Sequence, residues 1–311
     1  MDDKAAILVT LGYFDLFQYP LTEREVFFFL PRPIPPAAFE HALGELVAEG
    51  GVFAWEGFYF LRNEPELVHR RKVGNARAAR MLVTAGRIAA LLSHFPFVRA
   101  VGVSGSLSKQ YADETSDIDL FIITSPGRLW MARTLLHLFK KLSFLVRRQD
   151  WFCMNYFIDE SALKIPEQNI YTAIEIVTLL PMRGSGVFTA FRKANAWTDD
   201  FLPNSYGRLV FSEESGPSWV RRAFEWFFSG SFGDRLDGWL MRVTDKRWRK
   251  KTNEGRRNNR GIVMTMDASR HAARPDPTGF QQGLLDAYER RCGFLLRKYQ
   301  VGYDNLRKEM M

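Results

Sequence analysis

The chain has little cysteine and little histidine, two Cys and five His in 311 residues. Cys153 and Cys292 lie far apart in apolar or helical surroundings. With no CxxC pair and no histidine cluster, a disulfide framework and a zinc site of ordinary ligand spacing are excluded. Both cysteines are expected to be reduced thiols, as in a cytoplasmic protein. Also missing is any run of about 18 uninterrupted apolar residues, which a membrane-spanning helix requires. The segment MDDKAAILVTLGYF carries acidic residues ahead of its apolar stretch and lacks the basic flank of a secretory signal, so export is not expected. No internal repeat is found.

What the chain has in abundance is apolar and aromatic surface: 46% hydrophobic residues, with 26 Phe, 10 Tyr and 8 Trp. This excludes a mainly disordered polymer and predicts globular layers with many ring contacts. The length suits two ordinary domains, or one catalytic domain with flanking helical parts. Forty-three Lys and Arg against 35 Asp and Glu leave a formal charge of +8, which favours polyanionic partners such as nucleotides, RNA or anionic membranes.

Along the chain, Ile7, Leu8, Leu11 and Phe14 have helical spacing, and Tyr19-Pro20 ends that helix. Thr22 and Glu25 have the form of a capping box opening a second helix. A third helix spans residues 36–49 and is closed by Gly50-Gly51, after which VFAWEGFYFL reads as a hairpin turning at Glu56-Gly57. Three helices and a hairpin resemble a winged helix over residues 1–62. The third helix carries Glu40, Glu45 and Glu49 and no Lys or Arg, so a packing or partner-recognition role is expected there and DNA reading is not.

Residues 63–94 predict a long linking helix with a basic face that includes Arg70, Arg71 and Arg77, either solvated or in contact with phosphate. Strands are expected at 97–103, 116–124 and 151–159, with an amphipathic helix at 127–145 between the last two. From about residue 181 the pattern is mainly helical. Together these features predict an α+β protein. A small mixed sheet with flanking helices at 95–180 follows the winged-helix-like part, and a mainly helical region at 181–311 completes the chain.

The chemistry is concentrated in VSGSLSKQYADETSDIDLFIIT, residues 103–124. Alternation along a strand puts Asp117 and Asp119 on one face, with Ile118 and Leu120 on the other. Two carboxylates so spaced can ligate magnesium, which prefers a few carboxylates completed by phosphate oxygens and water. Gly105 allows close backbone approach to a phosphate, the Ser106 hydroxyl and amide can donate to it, and Lys109 can neutralise it or point into solvent. The bland alternative is a solvated acidic strand start beside an ordinary Gly-Ser turn.

The ordered set Val103-Ser104-Gly105-Ser106 followed by Asp117-Ile118-Asp119-Leu120 resembles the signature of the polymerase-β-like nucleotidyltransferase superfamily, over residues 97–160. The resemblance implies a nucleotidyltransferase fold and transfer of a nucleoside monophosphate from a triphosphate to an acceptor hydroxyl or phosphate, with release of pyrophosphate. Asp117 and Asp119 would hold magnesium, and Gly105, Ser106 and Lys109 the phosphates. It also implies a third carboxylate on a later strand. If 151–159 runs antiparallel to 118–124, Asp159 comes near Asp117. Capping is an equal reading for Asp159, Asp150 is a second candidate, and Asn155 in that place would leave the site without its base.

The acceptor is open, with a small molecule or protein preferred to an RNA end. A nucleotide-binding module without turnover and an RNA-binding protein are the rival readings. The aromatics Trp219, Trp226, Phe227, Phe228, Trp239 and Trp248 are read as the packing face of a helical layer, with base stacking and lipid contact as alternatives. Residues 245–260 carry eight basic side chains and are either a solvated loop or a clamp for RNA or a triphosphate. His137 and His271 stand alone and are expected to be packed or exposed, not metal-bound.

Overall fold

The computed structural model describes residues 1–143, 153–205, 219–255, 266–275 and 278–299. The N-terminal part runs α1 (Asp3–Asp15), β1 (Leu21–Thr22), α2 (Glu23–Phe28), α3 (Pro36–Ala48), β2 (Phe53–Trp55) and β3 (Phe58–Phe60). Its three strands form an antiparallel sheet in the order β1-β3-β2. Local chemistry sets these boundaries. Thr22 and Glu25 make the reciprocal capping box that starts α2, and Glu56 and Gly57, both at positive φ, make the hairpin turn between β2 and β3.

The chain continues with α4 (Glu66–Leu92), β4 (Val98–Val103), α5 (Gly105–Ser108), β5 (Asp119–Thr124), α6 (Leu129–Ser143), β6 (Cys153–Asp159), α7 (Ile170–Thr178), β7 (Leu180–Arg183), α8 (Ser185–Ala194) and α9 (Thr198–Phe201). Then come α10 (Trp219–Phe227), α11 (Ser231–Asn253), β8 (Met266–Ala268), β9 (Ala272–Pro275) and α12 (Thr278–Lys298). Six strands form one mixed sheet in the order β7-β4-β5-β6-β9-β8. The fold is therefore α+β. The region after residue 181 is less purely helical than its pattern predicts, because β8 and β9 extend the sheet.

Strand direction corrects a second expectation. β6 pairs with β5 in parallel, Asp119 opposite Cys153 and Thr124 opposite Asp159. The cause is α6, whose 15 residues span about 22 Å and carry the chain back to the Asp119 end before β6 begins. A tight turn would have given the antiparallel pair.

The sheet is covered on both faces. Ile118, Leu120, Ile122 and Phe157 pack under α4, α6 and Trp248 of α11. On the other face Phe121, Ile123 and Ile158 pack with Ile176 of α7 and Phe188 and Phe191 of α8. A third core joins α1, α2 and α3 to Ile174 and Val177 of α7 and to Tyr288 and Leu296 of α12. The N-terminal part thus shares its interior with the C-terminal helix, and Tyr13 meets Tyr288 edge-on at 5.4 Å. Along α4, Arg70 donates to the Phe17 and Gln18 carbonyls and Arg71 is buried against Glu25, with its guanidinium 3.7 Å from the centre of the Tyr19 ring. Arg70 and Arg71 thus fasten α4 to the N-terminal part, while most of the basic face, with Arg70, Lys72, Arg80 and Arg87 exposed, is solvated as expected.

The aromatic helices differ from expectation too. Trp248 is buried and Phe228 packs on Phe224, but Trp219, Trp226, Phe227 and Trp239 stand in solvent. Among the described residues no helix is long and apolar enough to cross a membrane.

Candidate functional site

β4 delivers the chain to Ser104, whose amide donates to the Asp119 carbonyl at 2.9 Å, so the turn that follows is fixed against the start of β5. Gly105 has φ +70°, and a Cβ there would lie 2.6 Å from Asp119 Oδ2. Both facts require glycine: the backbone is left-handed and the space belongs to the carboxylate. Ser106 follows at the surface, exposed.

β5 begins at Asp119, so residues 116–118, expected as strand, precede it, but burial still alternates across this start. Ile118 and Leu120 are buried under α4 and α6, which leaves Asp117 exposed and Asp119 half-buried toward the face covered by α7. The loop between α5 and β5 is held from several sides. Asp113 Oδ1 accepts from the Thr115 amide and from the Thr115 and Ser116 hydroxyls, each at 2.9 Å. The Tyr111 ring lies so close to Gly74 of α4 that a Cβ there would come within 2.3 Å of it. Tyr19 donates its hydroxyl to the Lys109 carbonyl.

Lys109 does not point into solvent. Its Nζ donates to Glu175 Oε1 at 2.7 Å and to the Gly105 carbonyl at 3.2 Å, which ties α7 to the Gly105 turn. One helical turn before Glu175 stands Tyr171, half-buried, its hydroxyl pushed well above the usual tyrosine range. Desolvation is the main cause, followed by the fields of Glu175, Tyr156 and Asp119, so the Tyr171 hydroxyl stays neutral. Tyr156 stacks on Phe121 with ring centres 5.0 Å apart, and its hydroxyl meets Arg274 Nη1 at 3.3 Å. Arg274 is itself clamped by both Glu167 oxygens at 2.6 Å.

The structure brings Gly105, Asp119 and Lys109 together, with Ser106 beside Gly105 in the turn and Asp117 exposed just ahead of β5. The site does not include Asp159, which the parallel register places five strand steps from Asp119, about 17 Å away. There Asp159 is fully buried and accepts from the Gly127 and Ser161 amides and His271 Nδ1, each at 2.9 Å. Its role is to cap the turns flanking β5 and β6, and His271 is its partner. Asn155 lies in β6, but its side chain and all of Asp150 fall outside the described residues.

Glu175 and Tyr171 were missed in the sequence. Their signal was present: an acid and a hydroxyl at i and i+4 within the apolar helix IYTAIEIVT, where neither suits a core face.

Among the described residues no group of three His, Cys, Asp or Glu is arranged to hold a metal ion. Asp117 and Asp119 are two carboxylates close in sequence, and the missing side chain at Gly105 is what lets Asp119 Oδ2 lie against the turn. That donor set suits magnesium bound jointly with a triphosphate better than a metal enclosed by protein ligands alone. Comparison of the chain with protein-family models, with curated proteins and with solved structures gives no match.

Proposed function

We propose that this chain is a magnesium-dependent nucleotidyltransferase that moves a nucleoside monophosphate from a triphosphate to an acceptor. The observation that carries the reading is the contact of Gly105 with Asp119: a left-handed glycine turn closed on the second carboxylate of a DxD strand. A carboxylate meets a side-chain-free turn there, with Asp117 two residues before it, a combination that suits a metal-bound triphosphate.

In this reading Asp117 and Asp119 would hold magnesium, which supplies positive charge to the triphosphate oxygens when bound. The Gly105-Ser106 backbone and the Ser106 hydroxyl hold the outer phosphates. Lys109, paired with Glu175 and bonded to the Gly105 carbonyl, holds the turn in position, its charge largely offset by Glu175. The acceptor oxygen bonds to the α-phosphorus while the bond to pyrophosphate breaks, and the acceptor proton leaves to a base. Asp159 is not that base.

A small-molecule or protein acceptor remains preferred. α3 carries exposed Glu40 and is followed by exposed Glu49, and Lys4 pairs with Glu45 and Glu49, so this helix offers no basic face to a polynucleotide. The order α1-β1-α2-α3-β2-β3 supports reading it as winged-helix-like, and its shared core with α7 and α12 supports a packing role. RNA contact through residues 245–260 rests on Lys246, Arg247, Lys250 and Lys251, which are exposed; residues 256–260 lie outside the described ones.

A second reading, a nucleotide-binding module with little turnover, draws on the absence of a third metal-ligating carboxylate among the described residues. Incubation with α-labelled triphosphates, magnesium and cell extract separates the two. Label transferred to protein, RNA or a small molecule identifies the enzyme and its acceptor, and tight triphosphate binding without transfer favours the module.

A further inference from the structure

The outer face of α10 and α11 is both apolar and basic. Trp219 and Trp226 are 76% and 79% exposed, Phe227 and Phe232 64% and 57%, and Trp239 53%. Phe227 and Phe232 lie 6.5 Å apart across the turn between the helices, which makes the patch continuous. Helical spacing brings Arg222, Arg235, Arg242 and Lys246, all exposed, to the same side.

These rings have no room to fold inward, because the inner face is already occupied. Phe224 and Phe228 fill it against Phe97. Glu225 accepts from the Phe97 amide at 2.7 Å, from Arg99 at 2.8 and 3.0 Å and from Arg221 at 2.9 Å. Arg128 donates to the Phe228 and Ser229 carbonyls at 2.8 Å and to Asp234 at 2.5 Å. The acids of the two helices are likewise engaged: Glu225 and Asp234 as above, Asp237 with the Met131 amide, Asp245 with Arg249. The outward charge is therefore positive.

We propose that this face docks the protein on an anionic lipid surface. Large rings standing in water at a rigid helical turn cost free energy that immersion in the acyl boundary recovers, and flanking cations meet anionic headgroups. The distribution favours lipid over a nucleic-acid strand. Trp226, Phe227 and Phe232 form an apolar tip, with no cation between residues 226 and 232. The cations sit behind it on both helices, whereas a strand needs stacking rings and phosphate contacts interleaved along a groove.

The test is sedimentation of the full chain with vesicles of phosphatidylcholine alone or mixed with phosphatidylserine. Binding is expected only to the mixed vesicles and is weakened by salt. Replacing Trp226, Phe227 and Phe232 together by Ala should lower the partition coefficient at least about tenfold, and Arg222→Glu with Arg235→Glu should abolish binding at low salt. In the wild type, acyl-chain-brominated lipid should quench tryptophan emission, a readout independent of any variant. The proposal is overturned by equal binding to neutral vesicles, by a triple variant that binds like wild type, or by absence of quenching. It is also overturned if a single-stranded RNA, or a second copy of the chain, is bound through the same rings while vesicles are not.

Discussion

Lys109 Nζ lies 2.7 Å from Glu175 Oε1, and the same ammonium donates to the carbonyl of Gly105 at 3.2 Å. The helix that covers the sheet is thereby linked to the turn that touches Asp119. Glu175→Gln should loosen that link without removing a group that meets the nucleotide. Transfer should fall and the KM for triphosphate should rise, while Glu175→Gln and Lys109→Met together cost less than the sum of the two, a coupling of about 0.5–3 kcal/mol. A double-mutant cycle on kcat/KM measures it, and strict additivity would show the pair to be independent of the site.

Gly105→Ala should be the most damaging small change in the turn. Its φ of +70° is strained for alanine, at about 1–3 kcal/mol, and the new Cβ would collide with Asp119 Oδ2. Denaturant unfolding should show the stability loss, and titration with triphosphate and magnesium should show binding weakened beyond it. Ser106→Ala should cost less, about 1.5–3 kcal/mol of triphosphate affinity for one charge-assisted hydrogen bond.

Asp159→Ala should act on stability and not on nucleotide binding. The buried carboxylate holds two amides and His271, so its loss should destabilise the fold by about 3 kcal/mol. Triphosphate affinity in the folded variant should match wild type. A stable variant with lost affinity would contradict its place at the far end of β5 and β6.

Two carboxylates should give stability opposite slopes with pH. Burial disfavours the charge of Glu225, but Arg99, the Phe97 amide and Arg221 outweigh it and hold its pKa down at about 2. Between about 2 and 4.5 the unfolded chain therefore binds more protons, and stability falls as acid is added. Asp237 is pushed up to about 6, chiefly by burial. Between 3.8 and about 6 the folded chain binds the extra proton, and stability falls as pH rises. Asp237→Asn should remove that decline and gain on the order of 2 kcal/mol at pH 8 relative to pH 4; Glu225→Gln should remove the acid limb. Urea unfolding across pH 3–8 reads both, and unchanged slopes would contradict the assignments.

The sequence was most legible where chemistry is local. The capping box at Thr22 and the Glu56-Gly57 turn depend on residues within a few positions and appear in the structure as read; the alternation of burial from Asp117 to Leu120 does too, though the strand itself starts only at Asp119. What could not be read depends on distant partners. The direction of β6 is an exception: the helix expected at 127–145 is long enough to return the chain, and a crossover of that kind gives the parallel pair. The apolar stripe of α12 does not name α1 as its partner. The spacing of Trp226 and Phe227 is equally consistent with core and surface, and Phe224 and Phe228 took the inner positions. Glu175 stands out locally as an acid in an apolar helix, but its partner Lys109, 66 residues away, could not be named.

The most direct test of the account is transfer from α-labelled triphosphates by the wild type and by Asp119→Asn, with folding of both checked by circular dichroism. The account predicts magnesium-dependent transfer by the wild type to an acceptor in cell extract, and none by the variant, which keeps its fold because Asp119 is only half-buried and its backbone pairing with Ser104 is untouched. Transfer by Asp119→Asn at the wild-type rate would contradict it.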